Sequence, residues 1–321
     1  MDELDQNILN ELQRQGFQKG RTLANLLGVG ERTVHRRITT MRREGLVKVI
    51  ALPDFISFGY VAWAKIGIKV EPKSLSYVAR QLVENPLVYF VAYSYGRFDI
   101  IIAVRFGDIG CLTYFVNSEL TKIRGILSTE TMVLTSPRKY YNFSWPKPLF
   151  IEIKNGWQRC LDTGTSYTNH NRYQVDEVDR RILSILMEDG LTRPATIKSK
   201  LGVSESTIRK HMKKMLSNGL FRIVVVPNPE LLEYEVWATM GINISNRPGH
   251  EILDDIVKHP EVYLASVSIG RFNLVIAARF HVIDLLHRFV TIELSAIRGV
   301  SVVETFLHNK PLKYHNIKWS I

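Results

Sequence analysis

The sequence predicts an α+β fold built twice: a helix-turn-helix domain followed by a ferredoxin-like βαββαβ domain, then the same pair again. Three observations predict it. Residues 5–145 match residues 179–319 at a constant offset of 174, which carries Gly28 onto Gly202, Trp63 onto Trp237 and Gly96-Arg97-Phe98 onto Gly270-Arg271-Phe272. Apolar residues in the first part of each copy recur at helical spacing, and from residue 46 the period changes to two. An offset this long is not that of a solenoid, whose units run to roughly 20–50 residues; it marks a duplicated small protein.

Taken in order, Asp2 is placed to cap a first helix, with Asp5 at the third helical position and Ile8, Leu9 and Leu12 as its stripe. Copy two opens alike at Asp176 and Asp179, with Ile182, Leu183 and Leu186. The chain leaves these helices at Gly16 and Gly190. Short helices follow over 22–27 and 196–201, each closed by glycine, and third helices over 31–43 and 205–217. The turns between them, Gly28-Val29-Gly30 and Gly202-Val203-Ser204, have helix-turn-helix spacing, and Ser204 is the better N-cap. Then come strands over 47–52 and 62–70, a helix over 75–84, strands over 88–95 and 99–106, a helix over 109–123 and a strand over 127–134. The second copy places its helices at 251–258 and 282–297. The resulting domains are 1–50 and 51–145, a linker over 146–174, then 175–224 and 225–321.

Composition narrows the classes. At 45% apolar the chain buries ordinary cores, and its longest apolar runs, such as 100–104, are too short to span a bilayer. The opening Met1-Asp2-Glu3 is acidic, so no signal peptide is expected there. Cys111 and Cys160 are not repeat equivalents and have no CxxC neighbour, which points to a reducing cytoplasm without a disulfide framework. No histidine pair has metal-ligand spacing, no nucleophile sits in a catalytic pattern, and no cofactor or metal is called for. A net charge of +11 suggests a polyanionic partner.

The third helix carries the most specific constellation. Val34, Ile38 and Met41 face inward, while Arg32, Thr33, His35, Arg36, Thr39 and Thr40 face out, with Arg37, Arg42 and Arg43 toward the flank and end. In copy two Ile208, Met212 and Met215 point inward, and Ser206, Thr207, Arg209, Lys210 and Lys213 outward, with Lys214 nearby. A helix with one apolar stripe and an Arg/Lys/Thr/Ser surface can lie in the major groove of double-stranded DNA. Alone it is a solvated basic face; recurring twice after a glycine turn and a short helix, it reads as a DNA-binding face.

Each copy resembles a whole subunit of the Lrp/AsnC (leucine-responsive, feast/famine) transcription regulators. The matching residues are Leu4-Asp5-x-x-Ile8-Leu9-x-x-Leu12, Leu23-Ala24-x-x-Leu27-Gly28-Val29, Thr33-Val34-x-Arg36-Arg37-Ile38-x-x-Met41, Glu44-Gly45-Leu46-Val47 and Gly96-Arg97-Phe98-Asp99. The resemblance implies a regulatory (RAM) domain that dimerises and assembles further, binding small effectors such as amino acids near the glycine turn. Carried over, the effector residues are Ser94, Gly96 and Asp99 in copy one, and Ser268, Gly270 and Asn273 in copy two. Gly96 leaves amides open to a carboxylate, and Asp99 offers a negative charge to an α-amino group. Asn273 has no such charge, which weakens the second site, and Arg97 and Arg271 stand where the family often has an acid.

The expected function is a sequence-specific DNA-binding regulator working as a fused pseudo-dimer, itself able to form a homo-oligomer. One alternative is an enzyme of the siroheme decarboxylase type, which shares the architecture and would need cationic and histidine groups on the sheet. The segment 89–95 instead shows mostly apolar and aromatic residues. Another is a sensor or scaffold with one working reader. Trp63 and Trp237 read as sheet core, and the two regulatory domains are expected to pair within one chain, with pairing in trans as the alternative.

Overall fold

The computed structural model describes residues 2–15, 20–55, 58, 60–140, 143–144, 174–228 and 234–314. Gly16 and nearly all of the expected linker lie outside them. The chain divides into two compact units, one drawn from Met1–Gly59 and Thr168–Leu232, the other from Tyr60–Tyr167 and Glu233–Lys318. Each unit therefore combines the corresponding parts of both copies. No helix among the described residues is long and apolar enough to cross a membrane.

The first unit holds α1 (Glu3–Gln15), α2 (Gly20–Leu27), α3 (Glu31–Arg43) and strand β1 (Val47–Pro53) from copy one. Reciprocal bonds cap α1: the Asp5 amide donates to Asp2 Oδ1 at 3.0 Å and the Asp2 amide to Asp5 Oδ2 at 3.2 Å. Copy two supplies the equivalents of these four elements, and Asp176 and Asp179 form the same box at its first helix, Glu177–Glu188. Strand β1 pairs antiparallel with copy two's Phe221–Pro227, and Ile50 lies opposite Val224, its own repeat equivalent. This ribbon has a pseudo-twofold axis. Its residues cross between cores: Val225 joins Ile8, Leu12, Leu23 and Met41, while Ala51 and Phe58 join Ile182, Leu186, Ile208 and Met215. Gly190 sits so close to the ribbon that a Cβ there would lie 2.8 Å from the Ile50 carbonyl carbon, and its amide donates to Val49 O at 2.8 Å.

The second unit begins with β2 (Ala62–Val70), α4 (Leu75–Glu84), β3 (Val88–Tyr95), β4 (Ile100–Phe106), α5 (Ile109–Tyr114) and β5 (Ile126–Tyr140). A short β6 (Phe143–Ser144) folds back on β5. In copy two, α6 (Glu177–Glu188), α7 (Pro194–Leu201), α8 (Glu205–Ser217) and β7 (Phe221–Pro227) belong to the first unit. The second unit then continues with β8 (Val236–Ile244), α9 (Gly249–Ile256), β9 (Val262–Ile269), β10 (Leu274–Phe280), α10 (Ile283–Arg288), β11 (Val300–His308) and β12 (Lys313–Tyr314).

Each copy's four strands bury one face under their helices. Ile66, Ile68, Val78, Leu82, Ile102 and Phe115 make the first such core, and Met240, Ile242, Ile252, Ile256, Ile276 and Phe289 the second. The sheets then join edge to edge twice, β5 to β9 and β3 to β11, so the strand order β11-β8-β10-β9-β5-β2-β4-β3 closes on itself. The copies thus pair in cis. At the seams Leu134 opposes Ser268 and His308 opposes Ser94, which are repeat equivalents of one another.

Three expectations are corrected. β5 runs six residues past Leu134 because its end pairs with β9 of the other copy, through Tyr140 opposite Leu264, a partner that local pattern does not reveal. The helices expected over 109–123 and 282–297 shorten to α5 and α10, followed by π turns at Phe115–Glu119 and Phe289–Leu294. The buried pairs Phe115/Leu120 and Phe289/Leu294 are spaced by five, and a π turn brings such a spacing onto one side. In copy two the first helix of this unit starts at Gly249, directly after Pro248, rather than at residue 251.

Inside the closed sheet the Phe98 ring covers Gly67 and the Phe272 ring covers Gly241, each ring within 2.4 Å of where a Cβ would stand. Gly241→Ala is therefore expected to lower stability by about 1–3 kcal/mol in denaturant melts, through displacement of the ring. An unchanged midpoint would show that the ring moves freely.

Candidate nucleic-acid interface and ligand seam

On α3, Val34 and Met41 are fully buried, and Arg32, His35, Arg36, Thr39 and Arg43 are exposed. Thr33 and Thr40 are half-buried at the margins. The Thr39 hydroxyl donates to the His35 carbonyl at 2.8 Å, and Arg43 lies 4.0 Å from Glu44. Arg37 departs from its expected role. It reaches back to Asp2 at 2.6 Å and Asp5 at 3.4 Å, bracing α3 against the capped start of α1. Arg42 pairs with Asp189 of copy two at 2.9 Å, tying the end of α3 to the neighbouring domain.

On α8, Ser206, Arg209, Lys210, Lys213 and Lys214 are exposed. Ser204 caps the helix by accepting the Thr207 amide at 3.2 Å, and the half-buried Thr207 hydroxyl meets Ser204 Oγ at 2.8 Å. Arg209 bonds Glu205 one turn back, an exposed pair of small net value that a phosphate can replace. Ile208 and Met215 are buried, but Met212 is only partly so. His211 occupies the position of Arg37 and meets Asp179 at 2.8 Å and Asp176 at 3.8 Å. These three are metal-ligand types within 4.8 Å of one another, but the repeat equivalence identifies them as the counterpart of the Arg37 brace.

The glycine turns lie at the two seams. Gly96 and Gly270 adopt φ of +94° and +127°. Asp99 is already committed: Oδ2 accepts the Val70 amide at 2.7 Å and Oδ1 accepts Lys69 Nζ at 2.8 Å. Asn273 makes the same strand contact, Oδ1 accepting the Ile244 amide at 3.1 Å, and Asn243 replaces Lys69. The Asp99/Asn273 difference is thus a change of one ion pair, made on both partners, and not the loss of a ligand charge. Arg97 and Arg271 pair with Glu130 and Glu304, each at 2.6 Å. The serines differ more. Ser94 Oγ donates to Leu307 O at 2.9 Å, whereas Ser268 Oγ is buried with no hydrogen-bond partner among the described residues.

The inner face of the closed sheet is more cationic than the sequence expectation allowed. Arg105 lies 3.8 Å from the centre of the Tyr89 ring and donates to Tyr140 Oη at 3.0 Å. Its equivalent Arg279 lies 4.5 Å from the Tyr234 ring. On the opposite, helix-covered side Lys139 donates to the carbonyls of Val257 and His259 at 3.0 and 2.9 Å, and Lys313 to that of Asn85 at 2.7 Å. Lys65 donates to Thr239 Oγ1 at 2.7 Å, and His308 Nε2 is 3.3 Å from the same oxygen. Burial pushes the Lys65 ammonium down to about 7 and that of Lys139 to about 8. Burial, aided by the Lys65 charge, pushes His308 to about 3, so it is neutral. The missed signal was in the repeat. Tyr60, Trp63, Tyr89, Arg105, Lys139 and Tyr140 recur as Tyr234, Trp237, Tyr263, Arg279, Lys313 and Tyr314.

Three regions match known protein families. Residues 1–42 match the AsnC-type helix-turn-helix domain, residues 64–142 the Lrp/AsnC ligand binding domain, and residues 175–222 a winged helix-turn-helix DNA-binding family. An uncharacterized HTH-type transcriptional regulator of Pyrococcus furiosus is 38% identical over 141 residues, covering 44% of this chain and 95% of that protein. HTH-type transcriptional regulator FL11 of Pyrococcus abyssi is 30% identical over 137 residues, covering 42% and 90%. Among solved structures, the siroheme decarboxylase NirDL aligns with 98% of this chain and 94% of its own, with a TM-score of 0.63 and 17% identity, a likeness of fold.

Two outcomes follow from this geometry. Asp99→Asn should cost less than about 1 kcal/mol, since only the partly exposed Lys69 pair is lost, while Asp99→Ala also strands the Val70 amide and costs about 1–3 kcal/mol more. Thermal melts of both variants check this order. Lys65 binds its proton less readily folded, about 7, than unfolded, near 10.5, so its contribution to stability rises from pH 7 to 10.5 and is lost as pH falls through that window to 7. Lys65→Met should flatten that part of the stability–pH profile, and an unaltered slope would remove Lys65 as its source.

Proposed function

The chain belongs to the Lrp/AsnC family, and on that premise we propose that it is a sequence-specific DNA-binding transcription regulator working as a fused pseudo-dimer in the cytoplasm. The observation that carries this is the pair of exposed basic helices, α3 and α8, in one unit whose ribbon is centred on Ile50 and Val224. The proposed DNA contacts are Arg32, Thr33, His35, Arg36, Thr39, Thr40 and Arg43, and Ser206, Thr207, Arg209, Lys210, Lys213 and Lys214. Arg37 serves as a brace instead. The two domains read one duplex, and tethering makes the second contact intramolecular. In this reading the chain is not an enzyme, and fused pseudo-dimers assemble further as homo-oligomers.

A small effector, such as an amino acid, binds at the glycine turns. The buried, unmet hydroxyl of Ser268 favours the Gly270 turn, because the Ser94 hydroxyl is already bonded across its seam. Asp99 and Asn273 hold the strand behind the turn and do not grip the ligand. The domain boundaries proposed are 1–50, 51–145, 175–224 and 225–321, joined by 146–174.

A second reading rests on one observation. The cations Lys65, Arg105 and Arg279 on the inner face are the groups a polycarboxylate tetrapyrrole would need, and NirDL is a siroheme decarboxylase. The Lys65 ammonium is spent on an internal hydrogen bond, which favours the regulator. Absorbance of the protein titrated with a tetrapyrrole separates the two: a bound Soret band would support the enzyme.

Selection of bound DNA from a genomic pool tests the leading reading, with an imperfect palindrome expected because Arg32/His35/Arg36 correspond to Ser206/Arg209/Lys210. Arg36→Ala should weaken one half-site by about 1–3 kcal/mol and leave the other intact. Failure to enrich any sequence, with binding independent of salt, would sink the proposal.

A further inference from the structure

The two sheet domains meet through an isologous surface, on which a residue at the axis faces its own repeat equivalent. That residue is Lys65 and its equivalent is Thr239, in direct contact at 2.7 Å. Lys65 is 2% exposed. Its neighbours along the sheet are Ala103 on β4 and Met132 on β5. Across the interior lie Thr239 on β8 and His308 on β11, and on the same sheet beyond Ala103 lies the Phe90 ring of β3, 4.8 Å from Nζ. Of these only His308 titrates, and it is held neutral. No carboxylate among the described residues acts on Lys65, whose lowered affinity for its proton is due to burial alone.

We propose that Lys65 and Thr239 decide which faces can pair: a copy-one face accepts a copy-two face and rejects a second copy-one face. Were two copy-one faces to meet, Lys65 would stand opposite another Lys65. The position of His308 would then be taken by Leu134, its repeat equivalent. Two ammoniums would be desolvated with one hydroxyl acceptor fewer and no acid between them. Several of the other contacts across the interface do not discriminate, although Phe306, which meets Phe98, is Met132 in copy one. The Lys139 and Lys313 clamps onto Asn85, Val257 and His259 are reciprocal, and the Trp63/Trp237 and Arg105/Arg279 positions are filled alike. The asymmetry at the axis is therefore a specificity device. It bars any exchange of domains between chains that would bring two copy-one faces together.

The test uses the full chain and four variants. Thr239→Lys recreates the forbidden pair, Lys65→Thr places threonine opposite threonine, the double variant exchanges the two residues, and Thr239→Met supplies similar bulk without charge. At pH 7, Thr239→Lys is expected to lower Tm on the order of 10 °C, and Thr239→Met by less than half of that. Lys65→Thr should lose nothing, and the exchanged double variant should regain most of the Thr239→Lys loss. If Thr239→Lys does not fold, recovery of folded protein in the double variant reads the same point. Thr239→Met as damaging as Thr239→Lys, or a double variant no better than Thr239→Lys alone, overturns the proposal.

Discussion

A four-stranded sheet covered by helices on one face leaves the opposite face and two strand edges open. In this chain the second copy closes all three. The β5–β9 and β3–β11 seams remove the edges, which would otherwise be templates for pairing with other chains. The inner faces cover one another, with Phe98 packed 5.0 Å from Phe306 and Phe272 5.9 Å from the same ring. The long β5 exists only because β9 offers it a partner. Lys139 then anchors that strand to the end of copy two's first sheet-domain helix. Neither sheet has a complete hydrophobic enclosure without the other.

The symmetry of that enclosure is what makes its departures informative. Several equivalent pairs keep both identity and role: the Asp2/Asp5 and Asp176/Asp179 caps, Arg97–Glu130 and Arg271–Glu304, and the two glycines under their phenylalanines. Where they diverge, partners change together. Lys69 with Asp99 becomes Asn243 with Asn273, keeping the amide contact and giving up the charge. Arg37 becomes His211 against the same two aspartates. Duplication frees each half to drift only as far as its partner across or along the sheet compensates.

Much of the frame was legible in the sequence because it rests on local chemistry. Glycine turns, capping aspartates and apolar stripes at helical spacing set α3 and α8 to the residue. What the sequence did not reveal rests on tertiary partners. The reach of β5 is set by β9, and the π turns by where Phe115/Leu120 and Phe289/Leu294 must point. Arg37 reads as one more basic residue until Asp2 and Asp5 are folded beside it. Asp99 reads as a ligand for an amine until the Val70 amide is seen to occupy it. The buried lysines and arginines were hidden by strand alternation within segments that look apolar, although their recurrence at the 174-residue offset marks them as structural.

The central claim is that one chain encloses its own pseudo-dimer. Cysteines placed at Tyr95 and Leu307, register partners across the β3–β11 seam, test it most directly in a background with Cys111 and Cys160 replaced by serine. Isotopically heavy and light chains are unfolded together, refolded as a mixture and oxidised, and the disulfide-linked peptides are weighed. Pairing in cis predicts linked peptides that are all heavy or all light. A statistical share of mixed heavy–light peptides would contradict the account and show that the copies close between chains.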